Sequence, residues 1–352
     1  MGTAKRYSAD ALRSFIQAVL EKAGVPQEDA ACTAANLLKA ELWGVSTHGI
    51  SRLPRYVMRL ENGTINPRPN LTIQAKYPTM LLVDGDNGLG AAVMEHAIEA
   101  AMEKAEIYGI CAVGVKNSNH FGMAGYYCAL AAQRDMVALG YTNSLAAMAP
   151  WGGKEACLGT NPLAFGFPCP GRKPIIADMA TSIAARGKIL LAAKKGQAIP
   201  ANWALDAEGK PTTDAKAAAD GLVLPMAGPK GYALALSVDC LSGVLTGADF
   251  AGLAGSYKQG RKKAGIGHLF IVMKTDAFLA ADEYAARMQS FCIEIKSAAR
   301  AAGTEEIYLP GEREQLLEQR LLAEGVALPD AVEKELAALA EKYRTVLPDG
   351  II

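Results

Sequence analysis

Apolar residues return every three to four positions near the start of the chain, where Leu12, Phe15, Ile16, Val19 and Leu20 line one side of ADALRSFIQAVLEKAG. That spacing predicts an amphipathic helix with Ser8 as N-cap and Gly24 beyond its end. Pro26 opens a second helix, PQEDAACTAANLLKAELWG, closed by Gly44. A third, PRYVMRLENG, stops near Gly63. The polar stretch between the second and third holds His48 and Arg52. NPRPN, 66–70, predicts a linker or extended arm.

The pattern then changes. TMLLVDGD, ICAVGVKN and MVALGYTNS read as strands, and the segments between them, AAVMEHAIEAAMEKAEIYG and MAGYYCALAAQRD, as helices. This alternation predicts an α/β core. The stretch 147–168, AMAPWGGKEACLGTNPLAFGFP, is rich in Gly and Pro without a clean period and predicts a long loop carrying short strands. PIIADMATS is a strand with Asp178 at its C-terminal end, and ARGKILLAAKKGQ is a helix. The turn-rich ANWALDAEGKPTTDAKAAADG suggests a small lobe. YALALSVDCLSGVLTG is apolar enough to predict a buried helix, HLFIVMK is a strand, and amphipathic helices finish the chain. Both ends being helical, the expected division is a discontinuous helical domain (1–72 with 285–352), an α/β domain (73–190 with 225–284) and the lobe (191–224).

Composition narrows the function classes. Lys+Arg and Asp+Glu are equal at 36 each, so no basic face points to nucleic acid. No apolar run has the length of a membrane span. The first residues lack a secretory apolar region, and Arg6 stands where myristoylation needs Ser or Thr. The 7 cysteines form no C-x-x-C pair, the pattern of reduced thiols in a cytoplasmic protein.

Three kinds of chemistry find no motif. The glycine cluster DGDNGLGAAV after the first strand has Val93 in place of the third glycine of the dinucleotide fingerprint, and a tight strand-to-helix turn accounts for it. The 4 histidines, His48, His96, His120 and His268, lack metal-ligand spacing, so no metal is expected. A hydrolase would need a G-x-S-x-G elbow, which is absent. What remains is His48, Arg52 and His120, with Lys116, Ser144, Asp178, Arg186 and Lys230. A guanidinium forks onto a carboxylate, and an imidazole beside it passes a proton near neutral pH, which suits a 2-oxo acid and its 2-hydroxy form. Spacing alone leaves a plainer account in front, a capping histidine and a surface arginine.

Five ordered motifs change that balance. STHGISRLPRY, NSNHFGMAGYY, MAPWGGKEACLGTNPLAFGFP, DMATSIAARGKIL and PMAGPKGYALAL resemble the malate/L-lactate dehydrogenase family of the second type, over about residues 8–320. The resemblance implies a non-Rossmann nicotinamide-binding α/β fold with a mixed sheet, a homodimer, and NAD or NADP as cofactor. It places His48 and His120 on the family's active-site histidines, Arg52 on the carboxylate-binding arginine, and Thr47 where serine is usual. Ser144, Asp178, Met179, Ala180, Lys230 and the Pro310–Gly311–Glu312 triplet fall on cofactor-contacting positions. NHFGMAGYY, MAPWGGKE and ARGKIL look like the malate/sulfolactate branch, and Arg186 then suits a second anionic group on the substrate. Cyclic-imine reductase and ureidoglycolate dehydrogenase are the alternatives within the family, and a non-catalytic nucleotide-binding protein the alternative outside it.

Overall fold

The computed structural model describes residues 5–255 and 263–351. The N-terminal pattern forms helices α1 (Ala9–Lys22), α2 (Gln27–Leu42) and α3 (Leu53–Glu61), whose apolar positions, Leu12, Ile16, Leu20, Leu37, Leu53 and Tyr56 among them, are buried in one large core. A short strand β1 (Arg6–Tyr7) precedes α1.

Seven strands follow as one mixed sheet: β2 (Thr72–Tyr77), β3 (Met80–Asp84), β4 (Ile110–Ser118), β5 (Met136–Thr142), β6 (Leu163–Phe167), β7 (Ile175–Met179) and β10 (Ile266–Lys274), in the order β2-β3-β4-β10-β5-β6-β7. Only β3 and β4 pair in parallel, joined by α4 (Gly90–Tyr108); the other pairs are antiparallel. The strand-helix alternation therefore yields one β-α-β crossover, not a doubly wound sheet. α5 (Ala124–Ala132) links β4 to β5 and is buried along nearly its whole length.

The registers decide where chemistry collects. Ser118 at the end of β4 faces Ile266 at the start of β10, and Thr142 at the end of β5 faces His268. Leu163 at the start of β6 faces Met179 at the end of β7. The chain thus leaves the sheet toward His120, Ser144 and Ala180 at one and the same end, the carboxyl ends of β4, β5 and β7, where open α/β sheets hold their ligands.

The small lobe is built from α6 (Arg186–Lys195), β8 (Ala204–Leu205), α7 (Ala215–Asp220) and β9 (Leu222–Val223), with its own core of Ile189, Ile199, Ala204, Ala218 and Val223. Met148 and Leu158 of the long loop join that core, so the loop is anchored to the lobe. α8 (Pro229–Asp239) runs into a wider π-turn at Cys240–Val244. Its apolar character predicts burial, but Leu234, Leu236, Val244 and Leu245 are exposed; the helix packs only one side, through Ala235 and Val238.

The two ends of the chain meet. β1 pairs with β11 (Val326–Ala327), Tyr7 donates to Glu333 of α11 (Asp330–Tyr343) at 2.7 Å, and Glu318 of α10 (Glu312–Glu324) accepts from Lys39 and Trp43 of α2. α9 (Ala281–Ser297) differs from its C-terminal neighbours: Cys292 packs with Cys169 and Ile175 beside the sheet. Among the described residues no helix is long and apolar enough to cross a membrane.

Candidate active site

Helix α2 ends at Trp43, and two short 3₁₀ turns, Ser46–His48 and Ile50–Arg52, separated by Gly49, carry the chain into α3. Glu41 holds this junction: its carboxylate accepts from the Ser46 hydroxyl at 2.6 Å and the Ile50 N–H at 3.2 Å. His48 and Arg52 therefore do not share one helix, as a continuous turn would require. They are drawn together instead by the Thr47 carbonyl, which accepts from Arg52 Nε, and the Thr47 hydroxyl, 3.0 Å from His48 Nδ1. Because Arg52 uses Nε in this bond, its two Nη groups are the ones that can fork onto a carboxylate.

His120 arrives from the opposite side, two residues beyond β4. Its ring stacks on His48, centroids 5.3 Å apart and planes 27° from parallel. The loop that carries it admits no change of shape. Asn119 is buried; its amide donates to the Gly88 carbonyl at 2.7 Å and its Oδ1 accepts from Arg59 at 2.6 Å. Gly90, the first residue of α4, lies so close that a Cβ there would stand 2.2 Å from the Asn119 carbonyl oxygen. Gly122 has φ +79°, and a Cβ would meet Asn36 Oδ1 at 1.8 Å. Of the glycines of DGDNGLG, Gly90 is thus used for backbone packing against the His120 loop, while Gly85 packs on Val93 and the end of β4 and Gly88 on Pro69 and Val93.

Charge and burial act together on the pair. Burial, with Arg52 close by, lowers His48 from 6.5 to about 4. His120 is held well below its ordinary value by burial, then by His48, Arg52, Arg59 and Arg55. Both imidazoles are therefore neutral in the free protein near neutral pH. The other two histidines have different duties. His268 lies in the core between Thr142 Oγ1 at 2.7 Å and Ser118 Oγ at 2.8 Å, stacked on Phe121, so its partners come from neighbouring strands that sequence distance conceals. His96 pairs with Asp29 across α2 and α4 at 2.8 Å. Lys116 sits 3.6 Å from Asp84.

Of the remaining expected residues, Ser144, Asp178, Met179 and Ala180 fall at the same end of the sheet, whereas Gly311 and Glu312 lie beside the first residues of β7, at its other end. Asp178 Oδ2 accepts from the Gly125 N–H at the start of α5 at 2.7 Å, tying β7 to the His120 loop. Desolvation pushes this carboxyl up to about 6 against the pull of that N–H. Ser144 donates its N–H to Asn161, whose amide donates to Ala235 of α8, so Ser144 and Lys230, in the first turn of α8, belong to one framework. Met179 is exposed beside Ala180. Gly311 packs on Ile176 of β7, whose N–H donates to the Pro310 carbonyl. Glu312 is engaged within the protein, by Lys296 at 2.6 Å and the Leu309 N–H at 2.9 Å. Arg186 opens α6, exposed, and donates to the Ala219 carbonyl at 3.1 Å; a Cβ on the next residue, Gly187, would touch the Thr47 methyl at 3.5 Å, so this turn abuts the histidine pair.

Sequence reasoning missed Tyr56, whose hydroxyl lies 2.6 Å from His120 Nδ1, and the Arg59–Asn119 contact. A usable signal existed: Arg52, Tyr56 and Arg59 recur at the four- and three-residue steps that align side chains on one helix face. A cleft of about 500 Å³, lined by Glu106, Arg134, Lys274, Asp276 and Asp282, lies at the opposite end of the sheet, and Lys274 is paired there with Glu106 and Asp276.

Lys230, Ser144, Asp178 and Met179 bring a cation, a hydroxyl, a carboxylate and an exposed apolar side chain, groups that would suit a nicotinamide nucleotide. Comparison with known proteins gives the family. Residues 7–337 match the malate/L-lactate dehydrogenase family model. L-sulfolactate dehydrogenase of Methanocaldococcus jannaschii is 43% identical over 307 residues, 86% of this chain and 87% of that protein. Malate dehydrogenase of Pyrococcus abyssi is 38% identical, over 96% of this chain and 94% of its own. The crystal structure of malate dehydrogenase from Entamoeba histolytica superposes with a TM-score of 0.93 at 33% identity, covering 98% of this chain and 100% of that one.

Proposed function

The chain belongs to the malate/L-lactate dehydrogenase family and is an NAD(P)-dependent dehydrogenase, and from that premise we propose that it interconverts a 2-oxo acid bearing a second anionic group, of the oxaloacetate or sulfopyruvate kind, with its 2-hydroxy acid. The observation that carries this reading is the stacked His48–His120 pair with Arg52 beside it. The nicotinamide cofactor, when bound, supplies or accepts the hydride. The chain's own residues do the rest. Arg52 Nη groups hold the substrate carboxylate, which turns the oxo group toward a histidine. That histidine gives a proton to the oxygen as it gains charge, and takes it back in the oxidation direction. We assign Ser144, Asp178, Met179, Ala180 and Lys230 to the cofactor's side of the site; Gly311 and Glu312, beside Ile176 near the start of β7, are assigned to the cofactor by the family motif alone.

Arg186 supports the choice of a dianionic substrate, because it is an exposed cation whose neighbour Gly187 lies against Thr47, the residue that bonds Arg52. In ureidoglycolate or a cyclic imine no second anion is present for it to meet. The test is kcat/KM for oxaloacetate and sulfopyruvate against pyruvate, glyoxylate-derived ureido acids and cyclic imines, followed through dihydronicotinamide absorbance, in the wild type and in Arg186→Ala. A charge-assisted hydrogen bond contributes about 1.5–3 kcal/mol, roughly 10- to 150-fold in kcat/KM. The variant should lose most of the preference for the dianion and keep its turnover of pyruvate; an unchanged preference ratio refutes the role.

A second copy of the chain completes the reading. The exposed apolar residues of α8 and the π-turn after it, Leu234, Leu236, Val244 and Leu245, are the kind of surface a homodimer buries. The absence of any disulfide among the seven cysteines supports a cytoplasmic enzyme.

A further inference from the structure

We propose that Tyr56 is the positioning residue that makes His120, and not His48, the proton donor, by fixing its tautomer and returning its proton. This rests on the dehydrogenase reading above. Two groups face His120 Nδ1: the Tyr56 hydroxyl at 2.6 Å, which can donate or accept, and, more weakly, the Gly122 N–H at 3.4 Å. A backbone amide only donates, so Nδ1 is the acceptor nitrogen and the ring carries its proton on Nε2. His48 has no such determinant. Its Nδ1 faces the Thr47 hydroxyl, which donates or accepts with equal ease, at a half-buried position.

A neutral imidazole that gives up its Nε2 proton would become an imidazolate unless Nδ1 gains one. Tyr56 supplies it. As the carbonyl carbon receives hydride, the C=O π pair moves onto oxygen. The oxygen takes the Nε2 proton of His120, Nδ1 takes the Tyr56 proton, and the charge comes to rest as a phenolate, later reprotonated from water. Tyr56 is 3% exposed, and burial raises its phenol to about 12, with Arg52, Arg59 and Arg55 pulling the other way and limiting that rise. An aliphatic alkoxide is a stronger base than a phenolate, so the transfer runs downhill. His48, stacked on His120, and the same three arginines are the charged or titratable groups that act on the His120 ring.

The experiment compares wild type, Tyr56→Phe, His120→Ala and the double variant in single-turnover reduction at saturating substrate and cofactor, with KM measured alongside. Tyr56→Phe should slow hydride transfer by about ten- to a hundredfold and leave KM within about twofold, and it should add nothing in the His120→Ala background. Effects that multiply in the double variant, or a wild-type rate in Tyr56→Phe, overturn the proposal. If His120→Ala keeps the wild-type rate while His48→Ala does not, His48 is the donor and the assignment falls although the dehydrogenase reading stands; if both keep it, that reading itself falls. Because a buried Tyr→Phe change could impair folding, the imidazole ¹⁵N shifts of His120 in the wild-type protein provide a separate check. An Nε2–H tautomer is expected, and an Nδ1–H tautomer overturns the proposal.

Discussion

At the scale of single residues, the two histidines differ in what holds them rather than in what they are. His48 and His120 stand ring on ring, both neutral; replacing His120, the assigned proton donor, by alanine should lower kcat by at least about a hundredfold, and His48→Ala should lower it less, through loss of the ring on which His120 stacks. Steady-state kinetics of His48→Ala and His120→Ala measures this, and an undiminished kcat in His120→Ala removes that assignment. Their neutrality also has a consequence for stability. In the unfolded chain a histidine titrates near 6.5; in the fold His48 titrates at about 4. Between those values the unfolded state binds more protons than the folded one, so stability is lost as pH falls from about 6.5 toward 4. His96 acts in the opposite sense, its pKa raised first by its hydrogen bond to Asp29, so its contribution is present at low pH and fades as pH rises. Thermal unfolding of wild type and His48→Gln at about pH 7 and about pH 5 isolates the His48 share. The variant should lose less on acidification, and an identical loss in both proteins would show that His48 titrates normally.

At the scale of elements, legibility followed periodicity. α1, α2 and α4 announced themselves because one face is buried and the rest is wet. β2 did not: the arm expected over 66–70 stops short of it, and although Ile73, Ala75 and Tyr77 alternate with Thr72, Gln74 and Lys76, all six residues are exposed, so the alternation marks no buried face. β1 and β11 are two residues each, below the length at which any pattern exists. The mixed order of the sheet was equally hidden, since β10 inserts between β4 and β5 from far along the chain. At the site, His48, His120 and Arg52 were visible through motifs, whereas Tyr56 was read only as part of a helix, because its partner lies 64 residues away. α8 misled for a clear reason: an apolar helix buried by its own fold and one buried by a second subunit have the same composition. If the exposed apolar surface is a subunit interface, Leu245→Glu should shift the protein from dimer to monomer in sedimentation velocity. It should also weaken cofactor binding, because α8 carries Lys230 and holds Asn161 through Ala235. A dimer that survives the charge, or a wild type that is monomeric, places the interface elsewhere or nowhere.

At the scale of the whole molecule, the residues proposed to meet substrate are braced by the opposite end of the chain. α3 follows Arg52 directly and carries Tyr56, and its last residue, Glu61, accepts from Lys342 at 2.7 Å and from the Tyr343 hydroxyl, both in α11. α11 is itself held by Leu336, fully buried in the main core with α1, and by Leu339 and Ala340. The surface pairs contribute little on their own, since exposed ion pairs seldom exceed about 1 kcal/mol; the buried leucine dominates. Leu336→Ala should therefore cost about 2–5 kcal/mol by lost transfer energy and a cavity. That cost should appear as a lower denaturant midpoint with an unchanged slope. Below the transition the site should stay assembled, because α3 keeps its own contacts with Ile50, Leu53 and Tyr56 in the core, and kcat should remain near wild type. A second measurement separates bracing from general stability: Glu61→Gln should leave the midpoint almost unmoved. If Leu336→Ala leaves the midpoint unchanged, the C-terminal helix is not part of the cooperative unit that holds the histidines and arginine in place.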